Sequence, residues 1–249
     1  MALSGWTTLK SVVNLSPSKR APAGGPTDKG DIVTDQLTAA DFAPHAGLAA
    51  NLLPHATEGD DGSHDLAHIH RVFRNAMRIH AEEGGDGTVL AAAVLLHDCV
   101  AVEKNSPLRA EASRLAADKA SGILAALGWE RMQIAAVAHA ILTHSYSAGI
   151  PPKSLEAKIL QDADRLDAIG MVGVARCFYI AGRMGSALYH AGDPDADNRS
   201  LDDRRYAIDH FPAKLLKLSA GFQTEAGRKL ATERHSRLVE FLTLFRDEI

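Results

Sequence analysis

Histidine and aspartate, which bind divalent metals and transfer protons, occur in this sequence in short clusters. Residues 62–72, GSHDLAHIHRV, contain three histidines, of which His64 and His68 share one helix face because they are four apart, whereas His70 lies on another. The pair His97-Asp98 closes the apolar segment LAAAVLLHDC. A buried carboxylate without a partner costs several kcal/mol, so we expect Asp98 to contact a cation, either a metal ion or an arginine.

A third cluster lies in KILQDADRLDAIG, residues 158–170. Asp164 follows an apolar pair by one turn inside an amphipathic pattern, while Asp162 and Asp167 lie on neighbouring faces that geometry alone does not exclude. Each cluster taken singly could be a solvated helix surface. Together, a histidine, a histidine-aspartate pair and an aspartate on separate helices form a more specific combination than any one of them.

Composition places these residues in a helix-rich globular chain. With 249 residues the chain can form one large domain or two small ones, and its abundant alanine and 5% aromatic content favour helix over sheet. A net charge of −4 argues against a general nucleic-acid binder but leaves a small anionic substrate possible. Cys99 and Cys177 form no Cys-x-x-Cys pair, which disfavours a disulfide framework or a thiolate zinc site.

The absence of a long apolar run in the sequence predicts a protein with no membrane partner. The first twenty residues lack the apolar core of a signal peptide, and no segment approaches the roughly 18–20 apolar residues of a membrane span. Together with the few cysteines, this predicts a soluble, cytoplasmic protein.

Hydrophobic periodicity predicts an all-α domain over residues 38–249, preceded by a flexible N-terminal extension over residues 1–37 that is rich in Pro, Gly, Ser and charge. The segment at 88–100 is apolar nearly all round, which predicts a buried central helix. No alternating strand pattern of useful length occurs. The predicted helices cover residues 41–53, 64–83, 88–100, 106–128, 130–145, 154–170 with a continuation to 181 after a kink, about 203–220, and 224–246.

The clusters resemble the HD-domain superfamily of metal-dependent phosphohydrolases, whose signature is H…HD…D. The resemblance runs from about residue 45 to the C terminus, through HDLAHIHRV, LLHDCV, ILTHSYS, LEAKILQDADRLDAIG and HFPAKLLKL…TEAGRKLATERHSRLVEFL. These segments look like a bacterial branch that includes nucleotide pyrophosphohydrolases. The resemblance implies an HD-domain helical bundle with one divalent ion held by His68, His97, Asp98 and Asp164. His68 is taken as the first ligand because Arg71-Val72 completes the family's H-x-x-R-V pattern.

The implied ligand set agrees with the chemistry of a transition metal. Two imidazoles and two carboxylates suit Mn²⁺ best among candidates that include Fe²⁺, Co²⁺, Ni²⁺ and Zn²⁺, and are too rich in nitrogen for a Ca²⁺ site. Such an ion can polarise a phosphoryl oxygen and lower the pKa of a water molecule that attacks phosphorus. The resemblance implies a small phosphorylated substrate and favours a (d)NTP pyrophosphohydrolase. A 5′-nucleotidase-like phosphomonoesterase is the second candidate, and homo-oligomerisation is left open.

Further residues are candidates for substrate binding or support of the ligands. His64 is a candidate phosphate contact or proton donor, Asp65 can cap its helix or orient a ligand histidine, and His144 can touch the substrate or support a ligand. His139, five residues earlier, is expected to pack. Phosphoryl transfer needs cationic groups around the phosphate, and each candidate could equally be a solvated surface cation. The candidate substrate-binding cations are Arg71, Lys104, Arg109, Arg165, Lys214 and Lys217.

Three other functions of HD-like proteins are alternatives to a one-metal phosphohydrolase. Two-metal HD enzymes, including diiron oxygenases and cyclic-dinucleotide phosphodiesterases, have two extra ligand histidines far apart, whereas His139 and His144 are close and on diverging faces, which favours one metal. Alarmone hydrolases have H-D-x-x-E-D, and Ala101 and Val102 stand at the two acidic positions here. A nucleotide-binding module without turnover is the remaining alternative, although all four ligand positions are filled.

Overall fold

A computed structural model describes residues 37–57, 65–102, 110–145 and 149–249, and within these ranges all regular structure is helical apart from one parallel bridge between Ala187 and Tyr206. This confirms the all-α prediction. The α-helices are α1 Ala46–Leu52, α2 Leu66–Glu83, α3 Gly87–Leu96, α4 Ala112–Ala126, α5 Arg131–His144, α6 Leu155–Asp167, α7 Gly170–Arg183, α8 Leu216–Leu218 and α9 Glu225–Asp247. The predicted N-terminal extension lies outside the described residues up to Gln36.

Helix α3 forms the centre of the bundle. Every residue from Val89 to Leu96 is at most 3% exposed, and the helix packs against α1, α2, α4, α5 and α6. Asp86 caps its first turn by accepting from the backbone N–H groups of Thr88 and Val89. The prediction of a buried central helix is confirmed, although α3 ends at Leu96, so His97 and Asp98 lie just beyond it. In the described part of the chain, no helix has both the length and the apolarity needed to cross a bilayer.

Two predicted helices are shorter or more broken than the sequence pattern indicated. The helix expected at 41–53 is a 3₁₀ turn at Ala39–Phe42 followed by α1, because Pro44 lacks an amide hydrogen and restricts the residue before it. The helix expected from about 203 begins only at Phe211, as a π-helical turn Phe211–Leu215. Before it, the chain is held in a loop around the buried Asp209 carboxylate, which accepts from Arg199 at 2.8 Å and from the backbone of Asp202 at 2.7 Å.

The remaining helix termini follow local sequence signals. Ser154, the first residue of the helix predicted at 154–170, caps α6 by accepting from the backbone N–H of Ala157 at 3.2 Å. Gly128 ends α4 with φ of +77°, a conformation that favours glycine. The predicted start of that helix at Ser106-Pro107 lies outside the described residues.

Side chains from three other helices fix the C-terminal end of α6. Asn75 on α2 donates to the carbonyl oxygen of Ala163 at 3.1 Å, Arg234 on α9 donates to that of Leu166, and Arg176 on α7 donates to that of Asp167 at 3.2 Å. These contacts supply side-chain donors to carbonyl groups in the last two turns of the helix. They also determine where the acidic residues of α6 lie.

The close approach of α7 to the turn that precedes it requires a glycine at position 173. A Cβ atom there would overlap the backbone carbonyl oxygen of Ala168, which cannot move as a flexible side chain can. We expect Gly173→Ala to lower the free energy of unfolding by about 2–3 kcal/mol, as overpacking does in buried sites. Urea denaturation measures this value, and Gly182→Ala on the same helix is the matched control because nothing lies within 4 Å of its added Cβ. That variant should be stabilised by up to about 1 kcal/mol, and equal effects of the two substitutions would contradict the prediction.

Candidate metal centre and active site

Imidazole and carboxylate groups from three helices and from the segment after α3 lie close together in the structure. Helix α2 contributes one histidine, the segment after α3 contributes a histidine and an aspartate, and the last residue of α5 and the third turn of α6 complete the group. Two overlapping sets have ligand atoms within 4.8 Å of one another. The cluster, which we call the metal centre, consists of His68, His97, Asp98, His144 and Asp164.

The distances within the metal centre fit ligands of a bound cation. The Nε2 atom of His68 lies 3.3 Å from Nε2 of His97, 3.5 Å from Oδ2 of Asp98 and 3.6 Å from Oδ1 of Asp164. Ligands about 2.0–2.2 Å from a metal ion are separated by roughly 3.0–3.6 Å, depending on the coordination geometry. The other three residues that were predicted as ligands therefore each lie at a distance from His68 that is compatible with a shared ion.

Each histidine of the metal centre is oriented by a hydrogen bond at its Nδ1 atom. His68 Nδ1 bonds to Oδ2 of Asp167 at 2.7 Å, His97 Nδ1 to the carbonyl oxygen of Val94 at 2.7 Å, and His144 Nδ1 to that of Ile141 at 2.6 Å. Because these partners are acceptors, Nδ1 carries the proton and the Nε2 lone pair faces the centre. Metal-binding histidines commonly have this arrangement, and an outer acceptor also raises ligand basicity.

His144 adds a third imidazole to the metal centre. It is buried, its Nε2 lies 3.8 Å from Oδ1 of Asp98, and its ring packs edge-on against that of His97 with centroids 5.1 Å apart. The preceding carbonyl, of Thr143, accepts from the buried Gln161 amide at 2.7 Å, which ties this end of α5 to α6. The position of His144 is compatible with either a ligand or a substrate contact.

Asp167 is an important residue that the sequence analysis did not select. Its carboxylate is 1% exposed and contacts His68, Arg71 at 2.6 Å and Arg176 at 2.7 Å. Asp167 therefore connects a nominated ligand to α2 and α7. In the sequence, the signal for Asp167 was its spacing of three residues from Asp164. His68 and Arg71 have the same spacing, and residues three apart are neighbours on a helix surface.

The charges of the metal centre compensate one another strongly. Burial alone would lower the pKa of His68, but hydrogen bonds with Asp167 and Asp98 and the charge of Asp164 raise it to about 9. Burial would likewise raise the pKa of Asp98, whereas the neighbouring imidazoles hold it well below its usual value. The Asp98 carboxylate thus remains ionised inside the protein, and its charge attracts a cation to the site.

The arginines and lysines that were predicted to bind substrate have different surroundings in the structure. Arg71 donates to both oxygens of Asp167, so its guanidinium group supports the carboxylate that orients His68. Arg165 donates to the backbone carbonyl of Gly221. Lys214 lies in the wall of a pocket beside α7, whereas Lys217 is exposed and does not line that pocket. Lys104 and Arg109 lie outside the described residues.

The remaining polar candidates have local roles. Asp65 caps α2 by accepting from the backbone N–H of His68 at 2.8 Å, one of the two roles proposed for it. His70 packs edge-on against Phe42, and Nε2 of His139 accepts from the backbone N–H of Lys153 at 3.0 Å. His64 lies outside the described residues.

Asp162, the other acidic neighbour in the motif of α6, is structural. It is fully buried and accepts from the backbone N–H groups of Gln223 and Thr224, each at 2.8 Å, and from the Thr224 hydroxyl at 2.7 Å. Its carboxylate therefore holds the N terminus of α9 and lies outside the metal centre.

The chain is similar in sequence and structure to proteins with an HD domain. Residues 65–169, which include the whole metal centre and Asp167, match the HD domain family. The uncharacterized protein YpgQ of Bacillus subtilis is 32% identical over 194 residues, covering 76% of this chain and 86% of YpgQ. The crystal structure of YpgQ in complex with ADP superimposes with a TM-score of 0.64 at 31% identity, covering 86% of this chain and 97% of that one. An HD-superfamily hydrolase from Bacillus thuringiensis gives a TM-score of 0.63 at 30% identity, covering 81% and 96%.

Proposed function

The chain belongs to the HD domain family of metal-dependent phosphohydrolases, and we propose that it hydrolyses the phosphoanhydride of a nucleotide. The reaction that we favour releases pyrophosphate from a nucleoside or deoxynucleoside triphosphate. The observation that carries the proposal is that His97, Asp98 and Asp164 each lie 3.3–3.6 Å from Nε2 of His68, with both imidazoles already oriented. The crystal structure of YpgQ with ADP supports a nucleotide as the substrate class.

We propose Mn²⁺ as the ion and His68, His97, Asp98 and Asp164 as its ligands. This mixed nitrogen and oxygen set suits Mn²⁺ and also accommodates the other first-row divalent ions, since selectivity within that series depends on geometry and availability. When bound, the ion supplies Lewis acidity at a phosphoryl oxygen and lowers the pKa of a water molecule.

Partial exposure indicates where the substrate approaches. The side chains of His68 and His97 are at most 1% exposed, whereas those of Asp98 and Asp164 are 25% and 27% exposed. The two carboxylates therefore form the open side of the metal centre, and a phosphate group reaches the site past them. We propose that His144, which faces Asp98 from the buried side, hydrogen-bonds through Nε2 to a phosphoryl oxygen or to the attacking water.

Product analysis tests the proposed reaction. Purified protein supplied with Mn²⁺ should convert a nucleoside triphosphate to monophosphate and pyrophosphate, and chelation with EDTA should abolish turnover until Mn²⁺ is restored. Separation of the nucleotides by ion-exchange chromatography, with an assay for pyrophosphate, distinguishes this reaction from stepwise release of orthophosphate. Orthophosphate from nucleoside monophosphates would instead favour a 5′-nucleotidase-like enzyme. A metal-loaded protein that hydrolyses no nucleotide with Mn²⁺, Fe²⁺, Co²⁺, Ni²⁺ or Zn²⁺ would refute the proposal.

A further inference from the structure

A pocket of about 510 Å³ lies beside α7 and is separate from the ligand atoms of the metal centre. We call it the α7 pocket. One wall is apolar and consists of side chains from α7 and its end. The opposite side consists of polar and basic side chains from the loop before the π-helical turn and from that turn itself. The apolar wall contains Cys177, Ile180, Ala181 and Met184, and the polar side contains Asp203, Arg204, His210 and Lys214.

The α7 pocket adjoins the support of the metal centre. Arg176, which lines the pocket, donates to Oδ2 of Asp167 at 2.7 Å, and the same oxygen accepts from Nδ1 of His68 at 2.7 Å. Ala168, the residue after Asp167, also lines the pocket. The Asp167 carboxylate thus lies between the pocket wall and a proposed metal ligand.

The charge of the α7 pocket is opposite to that of the chain. The protein carries a net charge of −4, whereas the pocket lining contains Arg204, Lys214 and Arg176, the last of which is paired with Asp167, and a single carboxylate. That carboxylate, of Asp203, lies 2.9 Å from Nδ1 of His210. A basic cavity in an acidic protein attracts anionic ligands selectively, because the local field at a concave surface differs from the field of the whole molecule.

We propose that the α7 pocket binds the nucleoside phosphate portion of the substrate that extends away from the metal centre. The apolar wall packs against the base, and the cations contact phosphate oxygens. The volume falls within the range of about 300–1,000 Å³ that is typical of small-molecule sites. This inference rests on the proposed function, and the α7 pocket is the place where the nucleotide would be recognised.

A change of charge at Met184 tests the inference without disturbing the core. Met184 lines the pocket and is 56% exposed, so either charge is tolerated there. Met184→Glu should weaken binding of ADP to the Mn²⁺-loaded enzyme by about three- to tenfold, because the added carboxylate lowers the net positive charge of the pocket and so weakens its attraction for the phosphate groups. Met184→Lys should strengthen binding. The same pattern should appear in KM for the hydrolysed nucleotide, with kcat and metal content nearly unchanged.

Met171 provides a matched control, since it is also 56% exposed, lies on the same helix and does not line the pocket. Met171→Glu and Met171→Lys should bind ADP as the wild type does, as measured by isothermal titration calorimetry. If the wild type hydrolyses nucleotides and the Met184 variants bind ADP with unchanged affinity, or the Met171 variants shift equally, the pocket inference is wrong while the proposed function stands. If the wild type neither binds nor hydrolyses any nucleotide, both are wrong.

Discussion

Asp98→Asn should lower the rate of nucleotide hydrolysis by at least about a thousandfold, which corresponds to about 4 kcal/mol of lost transition-state stabilisation. Asp98 lies 3.4–3.5 Å from the Nε2 atoms of His97 and His68, so its charge is needed to hold a divalent ion among neutral imidazoles. Removing that charge should release the ion. The measurements are metal content by atomic absorption after dialysis and the rate of pyrophosphate release at saturating nucleotide.

The fold should survive this change, because Asp98 lies beyond the end of α3 and its side chain is 25% exposed. Thermal unfolding of the metal-free protein checks that point. Asp118→Asn, an exposed carboxylate on α4, is the control for a simple change of net charge and should retain both metal and activity. If the Asp98 variant retained full metal content and activity, the proposal that the metal centre binds the ion needed for hydrolysis would be wrong.

Asp167→Asn should have the largest effect on affinity for the metal ion among substitutions outside the ligands. It removes the charged acceptor of His68 Nδ1, so the imidazole loses both its fixed orientation and part of its basicity. Substitutions of this kind lower metal affinity by about 10- to 100-fold. The same change leaves Arg71 and Arg176 without their anionic partner, and the free energy of unfolding should fall by about 3 kcal/mol.

Asp162→Asn is the matched control for Asp167→Asn, because both are buried carboxylates on α6. Asp162 holds the N terminus of α9, so its substitution should also destabilise the protein. The affinity for Mn²⁺, measured by competition with a chelating dye under conditions where both variants are folded, should fall only for the Asp167 variant. Equal losses of metal affinity in the two variants would mean that general destabilisation explains the effect.

The sequence by itself determined the helical class, the buried central helix and the four nominated ligands. These features are local: apolar residues recur at the helical period, Ser154 and Gly128 stand at helix ends, and each ligand belongs to a short motif. The structure brings the four nominated residues to a common point at a spacing of 3.3–3.6 Å between His68 and each of the others. Their assignment as metal ligands remains a prediction that the Asp98 substitution tests.

Only the tertiary structure decided what the remaining charged residues contact. Asp167 meets His68 and Arg71 across sequence separations of 99 and 96 residues, and Arg165 meets Gly221 across 56. A basic or acidic side chain on an amphipathic helix has several possible partners, and its sequence neighbourhood does not say which helix packs against that face. For this reason the sequence alone does not show that Arg71 contacts Asp167, and it assigns no role to Asp167, whereas the structure shows the pair directly. The packing of α2, α6 and α7 against one another fixes these contacts, because a buried charge is stable only where hydrogen-bond donors or an opposite charge meet it.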